Sequence, residues 1–278
     1  MSVQHIAFSR LAAACLLVAA AGAARAASPV ASYNFNGSLA AEQAGAPSLQ
    51  AIDPQGRNDF EQALVGGSSR SVYRWSGDGQ DASTQAGLAL DASSLLSDLQ
   101  TYSLAMRFEF SATASTGGGW RRLVDTQGRQ SDNGFYLAPT HQLQVVQLAE
   151  TNNAVLATGS TAFSTPGFHD VFLSVARTAG GQQVRAWLDG VLEIDTSTTT
   201  LGLAGNGNPG GLLVFFADNL AAGAQLEYAD GRIAALALYD GAFSPSAVPE
   251  PAAGALLAAG LLVLAWRRRA AAAGVTCP

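Results

Sequence analysis

The 278-residue chain has no lysine, and all fifteen of its basic residues are arginine. Cysteine is almost missing too: the two present are Cys15 and Cys277, and there are only three histidines. Charged residues make up 13%, about half the ~25% of an ordinary globular domain. Each shortage excludes something. Two cysteines make no disulfide framework. The few histidines and cysteines, scattered as they are, do not assemble the ligand set that zinc requires. A formal charge of −6 leaves no basic face for nucleic acid. A multi-span membrane protein needs several apolar runs of about 20 residues, and no such series exists. What remains plentiful is small and apolar, with 48% hydrophobic residues and thirty glycines. That is enough to bury a core, which argues against disorder.

The excess hydrophobicity sits at the ends. From residue 11 to 24 runs LAAACLLVAAAGAA, fourteen residues without a charge or an amide. His5 and Arg10 precede it, and Ala24-Arg25-Ala26 follows as a small-residue cleavage site. These features predict a secretory signal peptide over residues 1–26, formed as a helix and cleaved after Ala26. Lipidation at Cys15 fails, because Ala12 stands three residues before it and the apolar run continues past it.

At the other end Val248-Pro249-Glu250-Pro251 precedes fifteen apolar residues, 252–266, and then Arg267, Arg268 and Arg269. A fifteen-residue helix spans about 22 Å, short of a ~30 Å hydrocarbon core, so it makes a marginal transmembrane helix. The arginines would stay cytoplasmic and leave the preceding domain outside. A plain C-terminal anchor is one reading. In its order of parts, segment 248–278 resembles the PEP-CTERM sorting signal of Gram-negative bacteria. The resemblance implies that Pro249, Glu250 and Pro251 are recognised by an exosortase-type transpeptidase. It also implies an exported precursor, held transiently in the inner membrane and then passed to the cell surface or extracellular matrix. The tail of nine residues, Ala270 to Pro278, is longer than such signals usually carry.

Between the ends lies a domain of residues 27–247, with ten Arg against twenty Asp and Glu and hence a charge of −10. Such a surface suits cations or neutral polymers. Its patterning is that of strands. Tyr102, Leu104, Met106, Phe108 and Phe110 alternate with Ser103, Ala105, Arg107 and Glu109. Val171, Leu173 and Val175 repeat the period, as do Val184, Ala186 and Leu188 before an Asp189-Gly190 turn. Leu212 to Phe216 and Arg232 to Tyr239 add two more strands, and shorter candidates start near Val30, Ser71, Arg122, Gly134, Leu143 and Ala154. Ala92 to Gln100 is the one stretch that could form a short helix. The reading is all-β: one two-sheet antiparallel sandwich.

ASYNFNGSL near the start, FHDVFLSVARTAGGQQVRAWLDGVLEID, and the closing GRIAALALYDGAFSPSAV resemble a laminin-G-like, concanavalin A-like jelly roll. The resemblance implies that first and last strands lie side by side, and that the domain is a matrix or surface module.

Glycosidases share that fold, and a retaining one needs two carboxylates about 5 Å apart. Glu193-Ile194-Asp195-Thr196-Ser197 begins like a laminarinase motif, but Ser197 stands where the acid/base Glu is required. No nucleophile elbow exists, and His141 and His169 are the domain's only histidines. The expectation is therefore a non-enzyme, with a divergent polysaccharide hydrolase or a protein-binding adhesin as alternatives. Calcium, which takes loop oxygens and which the resemblance allows, has two candidate groups. One is Asp218 and Asn219 with Glu227 or Asp230; the other is Asp125, Asp132 and Asn133. Sugar binding needs an exposed aromatic. Trp75, Trp120 and Tyr136 are the candidates, with core packing as the ordinary alternative. Trp187 alternates with the inward set of its strand and should face outward or into a groove. The expected role is binding or structural, in an extracellular polysaccharide layer.

Overall fold

The computed structural model describes residues 27–247 apart from 79–80, 112–118, 149–152, 164–165, 205–207, 209 and 221–226. The expected helices over 1–26 and 252–266, the residues Pro249, Glu250 and Pro251, and the three arginines 267–269 lie outside the described residues. Among the described residues no helix is long and apolar enough to cross a membrane. Pro29–Pro245 forms one compact unit.

Fifteen described strands build that unit. In chain order they begin with β1 (Ala31–Tyr33), β2 (Gln50–Ile52), β3 (Asp59–Val65), β4 (Ser68–Trp75), β5 (Gly87–Asp91), β6 (Tyr102–Phe110), β7 (Arg121–Asp125) and β8 (Gly134–Leu137). Then come β9 (Gln142–Leu148), β10 (Asn153–Ala162), β11 (His169–Thr178), β12 (Gly181–Leu188), β13 (Val191–Thr198), β14 (Leu212–Phe215) and β15 (Gly231–Tyr239). One sheet has the order β13-β12-β11-β6-β15-β4-β3, with β1 also pairing β15; the other runs β10-β9-β8-β7-β14-β5-β2. Every pairing is antiparallel, including the first strand against the last, Ala31 opposite Leu238. The architecture is an all-β sandwich of two antiparallel sheets.

Alternation explains the layering. On β6 the five apolar side chains Tyr102, Leu104, Met106, Phe108 and Phe110 enter the core, while Arg107 and Glu109 stay on the outer face. Asp189 and Gly190 both take positive φ, 49° and 83°, the geometry of a two-residue hairpin turn. Trp75 goes to the core rather than to a ligand: it is 0% exposed and lies flat on Phe216 at 3.8 Å. Its indole N–H donates to the Ala229 carbonyl at 2.9 Å, so the ring is satisfied at both its apolar face and its polar edge. Ala92–Gln100 is not a helix. It breaks into turns because the Asp98 carboxylate accepts from the Gln100 N–H and the Thr101 hydroxyl, offering the backbone a local alternative.

Trp187 does lie on the outer face, where it packs edge-on against its cross-strand partner Phe172 at 5.6 Å and is largely covered. At one side of the sandwich, Glu193 of β13 joins the two sheets. Its carboxylate accepts from the N–H groups of Ser160 and Thr161 on β10, at 2.6 and 2.9 Å. Those bonds hold the carboxyl below its usual range although partial burial opposes them. Glu193 is therefore a structural tie between edge strands.

Candidate functional site

A fault in strand regularity assembles the site. In an unbroken strand Arg122 and Asp125 of β7 would point to opposite faces, being three residues apart. The pairing with β8 skips between Arg122 and Val124, a bulge that resets the alternation and leaves both residues on the outer face. Their ion pair measures 3.4 Å with both side chains fully buried. Arg121 points the other way, into the core, above the Phe110 ring at 5.4 Å. Opposite Arg122 stands Tyr136 of β8, with the guanidinium over its ring at 4.3 Å. Gly134 makes the approach possible, since a Cβ there would sit 2.2 Å from the Val124 oxygen and 3.3 Å from Arg122 Nη1.

Loops then close over the guanidinium. Arg122 Nη2 donates to Asp132 Oδ1 at 3.2 Å, to Asp218 Oδ1 at 3.1 Å and to the Ser131 carbonyl at 3.2 Å. Nη1 reaches the Asn133 carbonyl at 3.3 Å. Asp218 is delivered by Phe216, a bulky residue held at φ 68° by its stack on Trp75. Backbone strain of that kind persists only where the surroundings impose it. Asn219 donates its amide N–H to Asp132, and Arg129 donates Nη2–H to the Ala82 carbonyl at 2.7 Å. Glu227 completes the ring: its N–H donates to Asp218 Oδ2 at 3.1 Å and its carbonyl accepts from Arg122 N at 2.9 Å.

The two acidic groups that are separate in sequence are thus one cluster around Arg122. Asp125, Asp132, Asn133, Asp218, Asn219 and Glu227 all take part. Asp230 does not, because its carboxylate accepts from Gly77 N and the Tyr228 hydroxyl. Burial alone would lower the Arg122 pKa, but the surrounding Tyr136, Asp125, Asp218 and Glu227 raise it and keep the guanidinium charged. Glu227 is pushed up from 4.5 to about 7, first by burial and then by the Asp218 charge. Its Oε2 is buried and makes no hydrogen bond among the described residues.

Calcium fits the cluster only in part. Ligand oxygens of Asp132, Asp218 and Glu227 lie within 4.8 Å of one another, a spacing one hard cation can bridge. Yet two of the three acids already hold Arg122 Nη2. The guanidinium supplies the positive charge at that point, and a divalent ion would be set against it.

Tyr136 carries the cluster out to the sheet surface. It is itself 1% exposed and so offers no platform. Trp120 stands edge-on to it at 5.9 Å and is half-buried, which leaves Trp120 as the one of the three predicted aromatics with an accessible part. Across the face the register runs Arg122, Tyr136, Gln144, Thr158, with Gln144 Nε2 donating to the Thr158 hydroxyl at 2.9 Å. Gln144 Oε1 is buried and has no partner among the described residues. Neither Gln144 nor Arg122 was singled out by sequence. Two adjacent arginines inside an apolar strand, followed by Asp125, were the available signal.

Comparison with known families bears on the segment after the sandwich. Residues 247–269 match the PEP-CTERM protein-sorting motif. The chain carries a PEP-CTERM sorting signal. Such a signal marks an exported protein, made as a membrane-anchored precursor and processed by an exosortase. No curated protein is similar to this PEP-CTERM chain in sequence. Among solved structures, the binding domain of botulinum neurotoxin serotype C1 is 10% identical, with 79% of this chain and 50% of that one covered and a TM-score of 0.49. The carbohydrate-binding module CBM66 from Bacillus subtilis is 11% identical, covering 71% and 95%, with a TM-score of 0.35. The CBM40 of a Ruminococcus gnavus sialidase is 11% identical, covering 54% and 80%, with a TM-score of 0.40. The chain spans about half the length of the neurotoxin binding domains it matches.

Proposed function

We propose that this is an exosortase-sorted surface or extracellular-matrix protein whose sandwich, residues 27–247, is a laminin-G-like jelly roll that binds polysaccharide without catalysis. The observation that carries the reading is the outer face of the seven-stranded sheet. There a half-buried Trp120 stands edge-on to Tyr136, whose cross-strand partner Gln144 hydrogen-bonds the exposed Thr158. An aromatic surface beside a few fixed polar groups is how a protein holds a sugar ring. The Arg122 cluster is the rigid floor beneath it. A sorting signal for export and surface display supports the reading, because polymers of that class are found at cell surfaces.

The test is affinity electrophoresis through gels containing different polysaccharides. Retardation of the wild-type domain should be lost in Trp120→Ala while its melting temperature is kept; equal retardation of both proteins overturns the site. Glu250→Ala should leave the precursor unprocessed in the membrane, and normal processing would refute the sorting role of that residue.

One observation favours the hydrolase alternative. Glu227, with its pKa pushed up to about 7, lies beside two further carboxylates at the close spacing of a retaining glycosidase. Binding is preferred because the Asp132 and Asp218 side chains are 4% and 2% exposed and engaged by Arg122, so no sugar carbon can reach them. Release of reducing sugar by the wild type that disappears in Glu227→Gln would reverse that preference.

A further inference from the structure

The outer face of the eight-stranded sheet, on the other side of the sandwich, carries a second concave feature. The chain leaves β15 and turns back over the sheet. Ser103 Oγ donates to the Gly241 carbonyl at 2.8 Å and accepts from Phe243 N at 2.9 Å, which fixes the turn. The Phe243 ring packs edge-on against Tyr239 at 6.1 Å. Between this turn and strands β11 and β12 lies a groove of about 250 Å³, lined by Ser174, Ala176, Gln183, Arg185, Ala242, Phe243 and Ser244. That is just under the ~300–1,000 Å³ of drug-sized sites and roomy enough for one sugar ring.

The lining has a definite chemistry. It holds one guanidinium and no carboxylate, inside a domain whose charge is −10. Asp195 lies on the neighbouring strand and accepts from Arg185 Nε at 3.1 Å, so it braces the side chain from one edge of the fork. Arg185 remains 51% exposed. Gln183 is braced by the same carboxylate and accepts from Ser197. Ser174 is 6% exposed and turns its hydroxyl side of the strand to the groove lining. A planar guanidinium fork matches a carboxylate, a half-buried phenyl ring matches the C–H face of a sugar, and the hydroxyl and amide match ring hydroxyls.

We propose that this groove binds a uronic acid residue of an acidic polysaccharide, with Arg185 on the carboxylate and Phe243 beneath the ring. The site shares no residue with the Trp120 face. A domain holding both could bridge two polymer strands from opposite sides.

The experiment is calorimetric titration of the folded domain with trigalacturonic acid and with its methyl ester, which has the same ring and no charge. The acid should bind at least tenfold more tightly than the ester. Arg185→Gln should weaken the acid at least tenfold. Arg107→Gln, an exposed paired arginine on the same face outside the groove, should change it less than twofold, and Trp120→Ala should leave it unchanged. Equal binding of acid and ester, no binding of the acid, or no effect of Arg185→Gln each overturns the proposal. Loss of binding in Trp120→Ala alone would move the acidic sugar to the other face and overturn the groove assignment while leaving the polysaccharide-binding reading intact.

Discussion

Replacing Glu227 by Gln isolates the electrostatics of the buried cluster. The two side chains have nearly the same shape, so the difference between variant and wild type reports the carboxyl group's charge. Its pKa rises from 4.5 in the unfolded chain to about 7 in the fold. At about 1.4 kcal/mol per tenfold change, the ionised form is disfavoured in the fold by about 3 kcal/mol. Because the folded value is the higher one, the unfolded chain gives up its proton first. Wild-type stability therefore carries no penalty from this group below pH 4.5, loses ground as pH rises toward about 7, and then levels off. Glu227→Gln should equal wild type near pH 4 and exceed it by about 3 kcal/mol near pH 8. For a domain of this size that is about 6–12 °C in melting temperature. The assay is urea unfolding of both proteins across that pH range, analysed as a difference so that all other titrating groups cancel. A difference that stays flat with pH, or that favours wild type at pH 8, would refute the account of Glu227 as an acid crowded by Asp218 and short of a partner.

Three further outcomes are expected. Arg122→Gln leaves Asp125, Asp132 and Asp218 buried without their cation and should cost about 3–5 kcal/mol in chemical denaturation. Since Arg122 already supplies positive charge to the cluster, excess chelator or added calcium should move the wild-type melting temperature by less than about 1 °C. Glu193→Ala removes the acceptor of two strand N–H groups on β10 and should speed hydrogen exchange at Ser160 and Thr161 at neutral pH. With its carboxyl held below the usual range, that contribution should persist in wild type as pH falls past the ordinary carboxylate value of 4.5 and be lost only at lower pH.

The sandwich was legible in the sequence where burial is one-sided. β6 begins and ends where alternation puts it, Tyr102–Phe110. β2 and β3 escaped because they are edge strands with few buried positions, so their residues carry little period-2 signal. β5 escaped for the opposite reason, since Gly87 to Leu90 are all buried and small or apolar. The acids of the site were visible as two loop groups, but not their union. That union depends on a one-residue bulge in β7 and on a buried arginine, and a fully buried arginine runs against the ordinary expectation that arginine stays exposed. Trp75 and Trp120 look alike in sequence, each at a loop–strand junction. Only the position of Phe216 makes one a core residue.

The place of β15 in its sheet has a mechanical consequence. This strand lies between β6 and β4, with β1 also paired to it, and its ladder with β6 runs from Gly231 opposite Phe110 to Tyr239 opposite Ser103. The sorting motif follows at residue 247. Tension between the sandwich and the C-terminal segment would enter through the end of β15, and its component along the strand would slide β15 against its neighbours. Sliding an antiparallel strand along its own axis loads many ladder bonds at once, whereas peeling it sideways breaks them one after another. In the proposed binding role, load passed to the C-terminal segment would fall on a strand held by three others.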